Sequence, residues 1–157
     1  LTNFKSDPCK LTNSMDVYKS SNYIYNLIVY ISTDGITYTA IPDYTNIIIY
    51  DLNNNLIKQT LEGHSKWISW IDHYRHSNVN YLFSLDENFT IKVWNLDTYT
   101  HIWSVTKAYD GNDANNFKGV MHYDPVLSKL VVVTSDFGHP NIKIWSKDFI
   151  TRTMNRA

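Results

Sequence analysis

Apolar and polar residues fall into short runs of four to seven separated by turn residues, and they do so three times along the chain. From Tyr25 to Ile31, Ile36 to Ile41, Asn46 to Asp51 and Leu56 to Leu61 the runs read as strands. They are broken by Ser32-Thr33-Asp34-Gly35, Pro42-Asp43 and Asn53-Asn54-Asn55. Tight turns between short strands predict an antiparallel meander. The plan repeats over Trp67 to Ile71, Asn80 to Ser84, Thr90 to Asn95 and Thr100 to Val105. After a polar loop from Thr106 to Lys118 it recurs over Val120 to Tyr123, Leu130 to Ser135, Asn141 to Trp145 and Phe149 to Met154. The third strands align without gaps: Asn46-Ile-Ile-Ile-Tyr50-Asp51, Thr90-Ile-Lys-Val-Trp94-Asn95 and Asn141-Ile-Lys-Ile-Trp145-Ser146. Their starts differ by 44 residues (46 to 90) and 51 residues (90 to 141). A four-strand unit recurring at roughly forty-odd residues is the signature of propeller blades.

The expected fold class is therefore all-β, with three blades over residues 23–61, 62–105 and 106–154, a polar arm or linker over 1–22 and a tail over 155–157. Apolar residues on both faces of the strands, as in Leu27-Ile28-Val29-Tyr30 and Leu130-Val131-Val132-Val133, suit sheets covered on both sides by neighbours. Closed rings use roughly four to eight blades, so three leave two outer faces without partners. The expectation is an incomplete ring, a segment of a longer propeller chain or a chain completed by a second copy or another subunit.

At these strands the chain resembles the WD40-repeat family, most clearly in Gly63-His64 through Trp94-Asn95. The resemblance implies a buried polar relay in each blade: a His before the first strand, a hydroxyl on the second, an acid in the next turn and the Trp of the third. Carried over, these are His64, Ser84, Asn88 and Trp94. Asn88 stands where Asp is usual, which implies an uncharged relay. The third unit offers Ser135 and Trp145, with Ala108-Tyr109-Asp110-Gly111 in place of Gly-His. The first has Tyr50 for Trp and no His. The resemblance also places the loops joining fourth to first and second to third strands on one rim. Trp67, Tyr109, Asp110, Asp113, Phe137 and His139 on that rim are the candidate partner-binding residues, aromatic anchors mixed with hydrogen-bonding groups.

Composition narrows the function classes. Twelve Tyr, five Trp and six Phe favour pleated surfaces. A net charge of -1 with no basic cluster argues against direct nucleic-acid binding. Cys9 is the single cysteine, so neither an intrachain disulfide nor a thiolate cage can form. No apolar run approaches the length of a membrane helix, and no signal peptide is evident. Both favour an intracellular, cytoplasmic setting without a membrane partner. The chain starts at Leu1 and looks excised from something longer.

His64 and Ser84 could form a catalytic pair, but their spacing matches the relay and no third triad member is evident. His73 and His76 could share a metal but have no completing carboxylate or thiol, and read as a solvated turn. No catalytic residue, metal or cofactor is expected. The reading is a non-enzymatic interaction scaffold that offers rim loops to other proteins in a multi-subunit assembly. A structural subunit inside a large particle and a propeller enzyme with a central-channel site are the alternatives.

Overall fold

The computed structural model describes residues 16–110 and 117–147, and the backbone of 149–154. Twelve strands run in chain order: β1 (Ile28–Ile31), β2 (Thr37–Asp43), β3 (Asn46–Asp51), β4 (Leu56–Leu61), β5 (Ile68–His76), β6 (Val79–Asp86), β7 (Ile91–Asn95), β8 (Thr100–Val105), β9 (Lys118–Asp124), β10 (Lys129–Asp136), β11 (His139–Ser146) and β12 (Phe149–Met154). They form three four-stranded antiparallel sheets, each a meander in sequence order, and no helix occurs among the described residues. Three blades in sequence are present, and they do not close a ring.

Turn chemistry sets the blade outline. Between the third and fourth strands, Oδ1 of Asp51 accepts the backbone N–H groups of Asn53 and Asn54, and Oδ1 of Asn95 accepts those of Asp97 and Thr98. Asx-type turns of this kind replace the backbone partners that a chain reversal removes. Asn55 and Tyr99 complete the two turns at positive φ. The β5–β6 connection is tighter. His76 pairs with Val79, and both loop residues, Ser77 and Asn78, have positive φ, the geometry of a type I′ hairpin. Strand β5 consequently extends through His73-Tyr74-Arg75-His76, which the sequence reading had placed in a turn. Alternation along β5 separates His73 from His76, and the side chain of His73 is committed to Asn80 Oδ1 at 2.9 Å.

A bulge recurs at one place in every blade. The pairing of third with fourth strand slips between Ile49 and Tyr50, between Val93 and Trp94, and between Ile144 and Ser146. The extra residue lies on the fourth strand in each blade, Lys58 and Ile102 in the first two, and bends that strand where it passes the aromatic of the third.

The core lies between the blades. Tyr30, Tyr38, Ala40, Ile47, Ile49 and Leu61 of the first sheet pack against Ile68, Ile71, Leu82 and Trp94 of the second. Phe83, Leu85, Ile91 and Val93, on the opposite face of the second sheet, pack against Met121, Val132 and Trp145 of the third. The joint between blades 2 and 3 is close. A Cβ on Gly119 would lie 2.7 Å from the Val133 carbonyl oxygen within blade 3, so glycine is required there, and 3.4 Å from the Phe83 ring of blade 2, in ordinary contact across the joint. Trp70 donates its indole N–H to the Gly119 carbonyl at 3.1 Å. Between blades 1 and 2 the Asn26 amide donates to the carbonyl of Ile71 and accepts its N–H. Val29, Ile31 and Ile57 on the outer face of blade 1, and Val120 and Ile142 on that of blade 3, remain exposed.

Candidate functional site

Blade 2 contains a complete buried relay. Trp94 donates its indole N–H to Ser84 Oγ at 2.9 Å, Ser84 lies 2.6 Å from His64 Nε2, and His64 Nδ1 lies 2.8 Å from Asp86 Oδ2. One proton arrangement satisfies every group: the Ser84 hydroxyl donates to Nε2 of a neutral His64, whose Nδ1–H donates to Asp86. The carboxylate is Asp86, not Asn88. Asp86 Oδ1 accepts the backbone N–H groups of Asn88 and Thr90, so Asn88 contributes only main chain and the relay carries a charge.

Burial holds His64 below its ordinary pKa even though the Asp86 carboxylate pulls the other way. A histidine kept neutral in the fold but free to protonate when unfolded makes stability fall as pH drops below the unfolded value of about 6.5. His101, whose pKa is lowered by burial and by Lys92, adds in the same sense. Urea midpoints measured from pH 8 to pH 5 should decline below about pH 6.5, with buried His64 adding up to about 1.4 kcal/mol per pH unit and the solvent-exposed His101 much less. His64→Gln should make the decline shallower. An unchanged slope in that variant would mean that His64 takes up its proton at the same pH in the folded and unfolded chain.

In the other two blades a tyrosine stands at the place of His64, without a complete relay. In blade 3, Trp145 donates to Thr134 Oγ1 at 2.8 Å. Ser135, the expected hydroxyl, is exposed and takes no part in this contact. Thr134 is met by Tyr109, whose hydroxyl lies 2.9 Å from the Thr134 carbonyl and 3.1 Å from that of Asn141. Tyr109 is buried, with Lys143 Nζ 4.4 Å from its ring centroid, and so forms part of the interior rather than a rim anchor. In blade 1, Tyr18 donates to Asp43 Oδ2 and Ser20 donates to Oδ1 at 2.7 Å. Burial and the neighbouring carboxylate push the Tyr18 phenol up to about 12. Tyr18, His64 and Tyr109 thus occupy corresponding places ahead of the first strand. Tyr18 also lies against Tyr50, Ile41 and Ile48, and the polar segment before Tyr23 carries structure that its composition did not announce.

On the rim, each turn between second and third strands bonds to the segment entering the next blade. The Ile68 N–H donates to the Tyr44 carbonyl at 2.8 Å, and the Ala108 N–H donates to the Phe89 carbonyl at 2.9 Å. Tyr44 and Phe89 share positive φ values of 58° and 56°. Around Phe89 the aromatics are enclosed: Tyr109, Phe117 and the edge of His139 surround it. Around Tyr44 the equivalent cluster is open. Trp67, half-buried immediately before β5, stacks on Tyr23 with ring centroids 6.4 Å apart and planes 9° apart, and meets Tyr25 at 5.5 Å and Tyr44 at 6.2 Å. Tyr23 is 78% exposed, Tyr25 56% and Tyr44 50%. Of these four rings the sequence reading singled out only Trp67. The available signal was a pair of tyrosines, Tyr23 and Tyr25, set in polar sequence just before the first strand.

The remaining candidates are dispersed. Phe137 is 86% exposed at the β10–β11 turn, next to His139, whose Nδ1 lies 2.9 Å from Asp136 Oδ2. Asp110 is exposed. Asp113 lies outside the described residues, as do Cys9 and the 155–157 tail. Among the described residues no cluster of three or more His, Cys, Asp or Glu could hold a metal.

Three consecutive four-stranded meander blades, one of them with a complete His–Ser–Asp–Trp relay, have the fold of a WD40-type β-propeller segment. The solved structures agree with this: the crystal structure of RRP9 WD40 repeats and the structure of U3-55K each match with a TM-score of 0.54 at 20% identity, over 74% of this chain and 32% of theirs. The chain spans about a third of the length of these structures, and at that identity the likeness is one of fold. No protein-family profile matches the sequence, and no curated protein matches it.

Proposed function

We propose that this chain is an arc of an interaction propeller, completed by further blades, that docks other proteins on its rim. The observation that carries the reading is the open aromatic cluster of Tyr23, Tyr25, Tyr44 and Trp67. Large, weakly hydrated rings on a backbone fixed by the Ile68–Tyr44 hydrogen bond offer contact area at little entropic cost. The equivalent cluster one blade on is enclosed, so burial is available to this arrangement and exposure here leaves its faces free for a partner.

In native extracts, proteins captured by the full chain should lose about tenfold or more in affinity on Trp67→Ala, in line with about 1.4–2 kcal/mol or more for a central aromatic anchor. Tyr23→Ala, at the most exposed ring, should weaken the same partners without moving the urea midpoint. Partners retained at full strength by both variants would place docking elsewhere.

A further inference from the structure

The open aromatic cluster on the rim carries a second signal besides its rings. Trp70, Trp94 and Trp145 each donate the indole N–H to an acceptor within the fold. Trp67 does not: its N–H meets no acceptor among the described residues, yet it is not shut away from solvent. The hydroxyls of Tyr23, Tyr25 and Tyr44 likewise have no hydrogen-bond partner among the described residues. Four donors therefore stand open among four rings, and the indole can only donate. The charge around them is balanced. Lys66 precedes Trp67 in the chain and is exposed, while Glu87 donates its backbone N–H to the Trp67 carbonyl at 3.0 Å. Asp43, beside Tyr44, has both carboxylate oxygens taken by Tyr18 and Ser20.

We propose that this cluster docks a proline-rich segment of another protein in the polyproline II conformation. The inference rests on the rim reading above and names the chemistry of its partner. A polyproline II chain has no internal hydrogen bonds and proline has no N–H, so such a segment presents carbonyl acceptors and few donors. Its partially negative carbonyl oxygens complement the partially positive hydrogens of the four open donors. An extended strand would bring as many N–H groups as carbonyls. A basic segment would bring further donors and set Lys66 against itself, and an acidic one would meet Glu87. Pyrrolidine rings pack on aromatic faces, and the helix forms before binding, so little entropy is lost on docking. Rings set 5.5 to 6.4 Å from Trp67 form a platform that one polyproline II turn, rising about 9 Å over its three residues, can cross.

The test is selection of a phage-displayed random dodecapeptide library on the full chain, followed by fluorescence polarisation of the labelled synthetic winners. Winners should carry several prolines and show a polyproline II circular dichroism spectrum. They should lose tenfold or more in affinity on Trp67→Ala. Tyr23→Phe, Tyr25→Phe and Tyr44→Phe combined keep the rings and remove three donors. That chain should bind the winners roughly fivefold or more weakly, the worth of about one neutral hydrogen bond. Its urea midpoint should not move, because these hydroxyls bond to nothing in the fold. Winners without proline, basic ones included, that still require Trp67 would overturn this inference and leave the rim reading standing. Proline-rich winners indifferent to the three Phe substitutions would overturn it too, since the donors would not be reading the ligand. Winners indifferent to Trp67→Ala, or no enrichment, would overturn it together with the rim as a peptide-docking surface.

Discussion

Replacing Asp86 by alanine is expected to cost about 3–5 kcal/mol, the scale for breaking a buried pair and stranding its partners. Three N–H groups lose their acceptor at once: the His64 ring and the main chain of Asn88 and Thr90. The damage spreads along the relay, because His64 fixes Ser84 and Ser84 takes the Trp94 indole at the joint with blade 1. Asp86→Asn should lie between alanine and wild type. It keeps an acceptor for the turn but presents an amide where the ring N–H needs a carboxylate. Urea denaturation followed by Trp fluorescence measures both. A loss under about 1 kcal/mol for the alanine variant would show that the turn holds without the relay.

Tyr109→Ala is expected to cost a similar 3–5 kcal/mol, the range for removing a buried aromatic ring. The ring packs among Phe89, Phe117 and His139, and its hydroxyl reaches the carbonyls of Thr134 and Asn141 on β10 and β11. Tyr109→Phe keeps the packing and should cost only about 1–2 kcal/mol. Hydrogen exchange should show the loss concentrated in β9 to β11. If Tyr109 were a rim anchor, its removal would leave the urea midpoint unchanged and abolish partner binding instead.

The strands were legible because blade sheets are covered on both faces. Their apolar runs stand out against Asn- and Asp-rich turns, and the third strands repeat with an aromatic in the same place. Choosing among neighbouring polar residues was harder, because the choice depends on register. Ser135 and Thr134 are both hydroxyls. Val132 pairs with Trp145, so Thr134, two residues on, shares the Trp face, while Ser135 points away. Asp86 and Asn88 lie in one turn, and only the closing pair Leu85 with Ile91 determines which side chain turns inward. Tyr109 and Tyr18 were hidden for another reason. Each sits in polar sequence, and what folds over it buries Tyr109 and half-buries Tyr18, which no local pattern encodes. The extent of β5 was missed because His73 to His76 looks like a turn, whereas the reversal is made by Ser77 and Asn78 at positive φ.

The side on which each third-strand aromatic lies gives the arc a direction. Trp145 packs into the joint with blade 2 and Trp94 into the joint with blade 1, while Tyr50, with Tyr18 beside it, lies on the face of blade 1 turned away from blade 2. Every blade therefore has a head that carries its third-strand aromatic and a tail that receives the next. Any further blade must join tail to head, whether it comes from a longer polypeptide or from a separate subunit. Contacts of that kind are heterologous: they close when the rotation per blade divides the circle and otherwise spiral. Two copies meeting head against head would instead set one Tyr18–Asp43 pair against another, leaving two tails still uncovered.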